Sequence, residues 1–258
     1  MPTRSAQLVP TPIPNFEALQ ELALLAHTRL CAEYGAPFLF FSTKDPLSEL
    51  ISALLSHRTK NADSHRAYQQ LRATFPAWED VRDAPTIDVQ RALSACTWPE
   101  QKAPRIQAVL REISRRCGDE NLPPCSLDFL AERPIPEARA WLETITGVGP
   151  KTSAATLLFS TLRLPAMPVD SHHHRVAQRL GLIGPKVGEG PAHSLLAAFL
   201  PPDWTAQQVY DHHEALMFHG QKCCYFHSPA CGRCIMLDVC PVGQARINTH
   251  DSAPPSQA

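Results

Sequence analysis

The stretch Ile145-Thr146-Gly147-Val148-Gly149-Pro150-Lys151-Thr152 joins two segments whose apolar periodicity predicts helices. Gly147 and Gly149 permit a tight turn and keep side chains out of a ligand's approach. Backbone N–H groups at the start of the second helix then face outward and offer an anion site that suits a phosphate. An ordinary tight helix connection is the competing reading. Lys151 stands where the second helix begins. The positive end of the helix dipole opposes a charged ammonium there. That field, together with burial, is expected to favour the neutral amine. A neutral amine can attack carbon and form a Schiff base. A lysine that only binds phosphate is the alternative.

Nineteen residues downstream of Lys151 comes Asp170, within Pro168-Val169-Asp170-Ser171-His172. It precedes a predicted helix, so an N-cap role explains it. A carboxylate held near Lys151, stabilising a cationic sugar, is the functional reading. Further on, Cys223, Cys224, Cys231, Cys234 and Cys240 crowd together, while Cys31, Cys96, Cys117 and Cys125 are scattered. A dense group in a chain that shows no signal peptide reads as a metal site rather than a disulfide framework. Cys224, Cys231, Cys234 and Cys240 have the spacing C-x6-C-x2-C-x5-C, and Pro241 follows the last. Zinc favours two paired C-x2-C knuckles, and one such pair is present. Uneven spacing ending in Cys-Pro suits a [4Fe–4S] cluster better. Structural zinc remains the alternative, and Cys223 is the spare thiol.

The rest of the chain predicts an all-α protein. Helices are expected over 16–34, capped by Asn15 and stopped by Gly35, and over 47–56, capped by Asp45 with Pro46 in its first turn. More follow over 62–75, 86–95, 99–117, 127–132, 136–144, 151–162, 172–180, 191–199 and 205–219. Only 38–41 looks strand-like, too short to build a sheet. No apolar run reaches the eighteen residues a membrane span needs, and no secretory signal opens the sequence. A cytoplasmic location and no membrane partner are expected. Net charge is −1, so composition does not mark a nucleic-acid binder, though a local basic face can hide in a neutral total. The runs His172–His174 and His212–His213 read as exposed or core polar groups, because consecutive helical residues do not converge on a metal.

The glycine turn resembles a helix-hairpin-helix, which grips a DNA backbone without reading sequence. Hairpin, lysine, aspartate and a terminal cysteine loop, in that order, resemble the endonuclease III family of helix-hairpin-helix DNA glycosylases. The resemblance runs over 45–241. Gly147-Val148-Gly149-Pro150-Lys151-Thr152 is similar to that family's G-V-G-x-K-T, Val169-Asp170-Ser171-His172 to V-D-[TS]-H, and Phe218-His219-Gly220 to L-H-G. It implies two helical domains flanking a DNA-binding cleft. One is a six-helix barrel over 47–164 that contains the hairpin. The other joins 16–46 to 165–241 and carries the cluster. A flexible arm over 1–15 and a disordered tail over 242–258 complete the expected layout.

The implied function is a bifunctional DNA glycosylase and AP lyase of base excision repair. It would flip a damaged base, an oxidised pyrimidine, out of the duplex. Lys151 would attack C1′ and expel the base, Asp170 would assist, and the Schiff base would permit strand nicking by β-elimination. Cys224, Cys231, Cys234 and Cys240 would hold a [4Fe–4S] cluster. The partner is double-stranded DNA containing damaged bases or abasic sites, bound by a monomer. The expected DNA contacts are Gly147, Val148, Gly149, Thr152, Arg58, Trp98 and His172, with His57 and His65 near the cleft. Adenine glycosylases that share the cluster lack the lysine and carry a further C-terminal domain, for which this chain leaves no room after Cys240.

Three departures bear on substrate choice. Leu54-Leu55-Ser56-His57-Arg58-Thr59-Lys60-Asn61 resembles L-L-S-x-Q-T-x-D, with Arg58 where Gln often fills the gap left by the flipped base. Thr97-Trp98-Pro99-Glu100-Gln101-Lys102-Ala103 resembles the wedge loop but begins with Thr and carries Trp98, which either enters the DNA stack or packs in the core. The loop 225–230 holds no Lys or Arg. A catalytically weak DNA-binding or redox-sensing relative, or a glycosylase for alkylated or mismatched bases, would share most of these features.

Overall fold

Asp45 accepts the Ser48 N–H at 2.9 Å through Oδ1, with Pro46 in the first turn, and so starts helix α2 (Pro46–Ser56). The computed structural model describes residues 15–251, with side chains through Asn248. It is all-helical; no strand occurs among the described residues. Helix α1 (Phe16–Tyr34) closes on Gly35 in the left-handed region, φ 82°. Its expected cap is corrected: Asn15 is itself left-handed and makes no side-chain cap bond. The following elements are α3 (Asn61–Thr74), α4 (Trp78–Asp83), α5 (Thr86–Ala92), α6 (Pro99–Asp119) and α7 (Ile135–Glu143). After them come α8 (Pro150–Phe159), α9 (Ser171–Leu180), α10 (Glu189–Ala198), α11 (Ala206–Lys222) and α12 (Pro241–Asp251).

Two helices escape the sequence reading. Helix α4 is short, but buried Trp78 anchors it and Asp80 accepts the Ala77 N–H at 3.1 Å. Helix α12 replaces the start of the tail expected to be disordered. Gly243, in its first turn, is buried, and Gln244 donates to Asp238 O at 2.7 Å. Residues 1–14 and 252–258, the rest of the expected arm and tail, lie outside the described residues. The strand-like segment 38–41 is an unpaired strap over α11. Phe38 N–H donates to Asp211 Oδ1 at 2.8 Å, and Phe40 stacks on Tyr210 at 4.1 Å between ring centres.

Buried side chains form two clusters. The first gathers α2 to α7 with one side of α8, including Leu50, Leu71, Leu110, Leu142 and Leu157. The second gathers α1 with α9 to α11, including Leu30, Leu158, Val176, Phe199 and Tyr210. Helix α8 is common to both. Thr152 through Leu158 are all buried, and the hydroxyls among them are satisfied locally. Ser153 donates to Glu143 Oε1 at 2.6 Å, and Thr156 donates to Thr152 O at 2.8 Å. No described helix is long and apolar enough to cross a membrane.

The second cluster holds histidines at its centre. His173, His212 and His213 are at most 4% exposed. His173 Nδ1 lies 3.3 Å from His213 Nδ1, and the His173 and His212 rings are 5.5 Å apart. Burial drives the His173 pKa well below its ordinary value, that of His212 to about 3 and that of His213 to about 4. In the unfolded chain these groups take up protons near 6.5. Stability is therefore intact above that pH and is lost as pH falls from there toward 4. Glu214 opposes this. Burial first, then Asp170 and Asp211, push its carboxyl up to about 7, so it weakens the fold as pH rises through that value. Three histidines outweigh one carboxyl. The melting temperature is expected to fall between pH 7 and pH 5, and to fall less in His212→Phe. A melting temperature that holds or rises over that range would show that these histidines do not stay neutral in the native state.

Candidate active site

Lysine 151 occupies the first turn of α8, directly after the glycine turn, and its side chain is exposed. Burial of this amine, expected from the sequence, is therefore not found. Backbone bonding in α8 begins with Ser153 N–H to Gly149 O at 2.9 Å, which leaves the N–H groups of Lys151 and Thr152 at the open helix end. Lys151 forms part of the wall of a cavity of about 550 Å³. Arg58 and Trp98, from two other loops, line the same cavity, with Arg105, His57 and Glu189.

The hairpin glycines differ in what they do. Gly147 has φ +97°, and a Cβ built there would lie 2.5 Å from Arg105 Nε. The positive φ calls for glycine, and a Cβ would displace the end of the flexible Arg105 side chain. The Arg105 side chain thus lies against the turn. Gly149 has extended backbone with nothing within 4 Å of an added Cβ, so its space is open to a ligand. Val148 and Thr152 are buried. Thr152 Oγ1 lies 3.2 Å from His57 Nε2. Their side chains face the interior, which leaves their backbone groups for the DNA contact expected of them.

Arg58 and Trp98 are both left-handed, φ 51° and 54°, and both are exposed, Trp98 by 44%. Such a conformation is uncommon for residues with a Cβ. One side chain holds the two loops together. The buried Lys102 ammonium donates to Leu55 O at 2.5 Å, His57 O at 2.9 Å and Thr59 Oγ1 at 2.6 Å. It thereby satisfies carbonyls at the C-terminal end of α2 and pins that loop to α6. Thr97 N–H adds a bond to Thr59 Oγ1 at 3.3 Å. Burial lowers the His57 pKa, with Lys151, Arg105 and Lys102 adding to the shift, so this ring is neutral near pH 7.

Asp170 caps α9, with Oδ1 accepting His173 N–H at 2.7 Å. It does not line the cavity. Burial holds the His213 pKa low, with the Asp170 charge raising it and the Lys151 charge lowering it further. His172 is not brought to the cavity. It pairs with Arg175 at 3.1 Å, and its Cβ lies 2.8 Å from where a Cβ on Gly220 would be. That close approach of α9 and α11 explains the Phe218-His219-Gly220 motif. His65 is exposed on α3, away from the lining. The sequence reading gave Lys102 only as part of the wedge motif, and missed Arg105 and Glu189. They reach the cavity through the packing of α6 and α10, which no local pattern announces.

A second, small and mostly apolar cavity lies where α9, α11 and the cysteine loop meet. Cys224, Cys231, Cys234 and Cys240 all line it, beside Val176, Leu180 and Met236. Donors reach the sulfurs: Arg179 to Cys224 Sγ at 3.2 Å and Gly243 N–H to Cys240 Sγ at 3.3 Å. Arg179 also ties the loop to α9, donating to Tyr225 O at 2.6 Å and Phe226 O at 3.0 Å.

Residues 51–202 match the HhH-GPD superfamily of base excision DNA repair proteins. The chain belongs to that superfamily. Among its relatives, a candidate DNA glycosylase of Arabidopsis thaliana is 29% identical over 208 residues, 81% of this chain and 64% of the relative. The chain thus spans less than two thirds of that plant protein. Endonuclease III of Sulfolobus acidocaldarius is 23% identical over 210 residues, 81% of this chain and 87% of that protein. A solved, trapped endonuclease III–DNA covalent intermediate superposes with a TM-score of 0.69 at 21% identity, covering 88% of this chain and 98% of the other. At that identity the likeness is one of fold, and this HhH-GPD protein has the endonuclease III fold.

The exposure of Trp98 generates a test. Trp98→Ala is expected to leave thermal stability nearly unchanged and to weaken binding to a duplex bearing an abasic site. A core tryptophan would instead cost roughly 3–5 kcal/mol on truncation. A large drop in melting temperature would assign Trp98 to packing rather than to DNA.

Proposed function

We propose that this chain is a bifunctional DNA glycosylase and AP lyase that removes damaged pyrimidine bases, oxidised ones foremost. The observation that carries the reading is Lys151 on the wall of one cavity with Arg58, Trp98 and Arg105. The open N–H groups of α8 and the Arg105 guanidinium supply donors for backbone phosphates. Flipping a base out of the stack costs a few kcal/mol. An aromatic wedge entering the gap recovers part of that cost, and Trp98 is exposed and placed on the rim for it.

In this reading the Lys151 amine attacks C1′ as the glycosidic bond breaks, and the base leaves with its electron pair. Asp170 supplies negative charge near the sugar while cationic character develops there. Loss of the amine proton and opening of the sugar ring leave an iminium between Lys151 and C1′. A C2′ proton is then removed, and the 3′ phosphate departs by β-elimination. The substrate is double-stranded DNA with a damaged base or an abasic site, bound by a monomer in the cytoplasm.

The cysteine cavity fits a [4Fe–4S] cluster. Four thiols converge on one apolar space, with N–H donors set on two sulfurs. Cys224, Cys231, Cys234 and Cys240 would hold it. A bound cluster would cross-link the loop to itself beside the end of α11, and base removal rests on Lys151.

Borohydride is expected to trap a covalent adduct between the wild-type protein and an abasic-site duplex. Lys151→Gln should abolish trapping and retain duplex binding; trapping that persists would move the nucleophile elsewhere. Asp170→Asn should slow excision, and loss of its cap should cost about 1 kcal/mol of stability, read separately from the melting curve. A panel of lesion duplexes identifies the base. For the cofactor, metal analysis after anaerobic purification should give about four irons per chain. Stoichiometric zinc without iron would end the cluster assignment, and Cys231→Ala should lose the iron.

A further inference from the structure

Five thiols, not four, face the cysteine cavity. Cys223 lines it together with Cys224, Cys231, Cys234 and Cys240, and is only 5% exposed. Its thiol donates to Ala230 O at 3.6 Å. The Sγ atoms of Cys223 and Cys234 and a ring nitrogen of His219 all lie within 4.8 Å of one another. His219 is fixed from behind by Tyr34, whose hydroxyl is 3.0 Å from Nδ1, so Nε2 faces Cys234 Sγ at 3.5 Å. Cys223 and Cys224 are adjacent where α11 ends. The N–H groups of both converge on His219 O, at 3.0 and 2.8 Å. Both sulfurs therefore reach one cavity from one anchored backbone point. Exchanging one for the other needs side-chain rotation and no refolding of the loop.

We propose that Cys223 is a reserve cluster ligand that can take the place of Cys224. In the exchange the iron–sulfur bond to Cys224 breaks and one to Cys223 forms. The Cys223 thiol proton passes to the released Cys224 thiolate, so no electron is gained or lost. Only this corner of the cluster is doubled. Cys231, Cys234 and Cys240 have no neighbouring cysteine in the chain to replace them. His219 Nε2, 3.5 Å from Cys234 Sγ, contacts a sulfur that keeps its place in this exchange.

The inference rests on the cluster reading above, and the two fail differently. Wild-type protein without iron would end that reading. Iron present in the wild type and lost on removal of Cys224 would end only this one. The test counts iron per folded chain, in material that melts cooperatively, for Cys223→Ala, Cys224→Ala, the double variant and Cys231→Ala. Alanine is used because a serine oxygen can itself ligate iron. Both single variants at the chain's end of α11 should keep about four irons; the double variant and Cys231→Ala should lose them. Loss in Cys224→Ala equal to that in Cys231→Ala would overturn the proposal. Should Cys224→Ala fail to fold, iron release to a ferrous chelator decides. Release should be several-fold faster from Cys223→Ala than from the wild type, and equal rates would overturn the proposal.

Discussion

Helix α8 has almost no solvent-facing side. Thr152 through Leu158 are buried, Ala154 and Leu157 in one core and Leu158 in the other. A helix enclosed in this way has its position set from all sides, because close-packed interiors resist small displacements. Its small residues and internally bonded hydroxyls let neighbouring helices approach without unpaired polar groups. The N-terminal turn is the part left open, and it carries Lys151 and the hairpin. Lys151, on so confined a support, has its backbone held in place by two cores at once.

The same logic places the surrounding groups. Arg58 and Trp98 sit on loops, yet Lys102 binds the base of the first with three donor contacts and Thr97 N–H joins the second to it through Thr59. Arg105 lies on the glycine turn because Gly147 has no Cβ to exclude it. Asp170 is fixed by its cap bond to His173, on a helix whose far end is tied to the cysteine loop by Arg179. Precision near Lys151 is therefore inherited from the fold at several independent points.

Much of this was legible in the sequence. Helix periodicity, Asp45-Pro46 and Gly35 located most elements, since caps and stops act within a few residues. Lys151, Asp170 and the four cysteines stand out because spacing carries their chemistry. What stayed hidden depends on packing between distant segments. Val148, Thr152 and His172 lie in or beside matching motifs but turn inward or against α11. Glu189 and Arg105 show nothing locally and reach the cavity only through α10 and α6. The strap at 38–41 looked like a strand because its apolar residues cover α11, a use that alternation alone cannot distinguish from pairing. Helix α12 was masked by its polar composition; it is held by burial of Gly243 and by contact with the loop that precedes it.

The three bonds of Lys102 have a mechanical consequence. They tie the Arg58 loop to α6, whose first turn follows Trp98 some forty residues away in sequence. That loop cannot swing away from α6 without stripping a buried ammonium of its acceptors, which is a steep penalty. Arg58 and Trp98 are therefore carried on one rigid jaw.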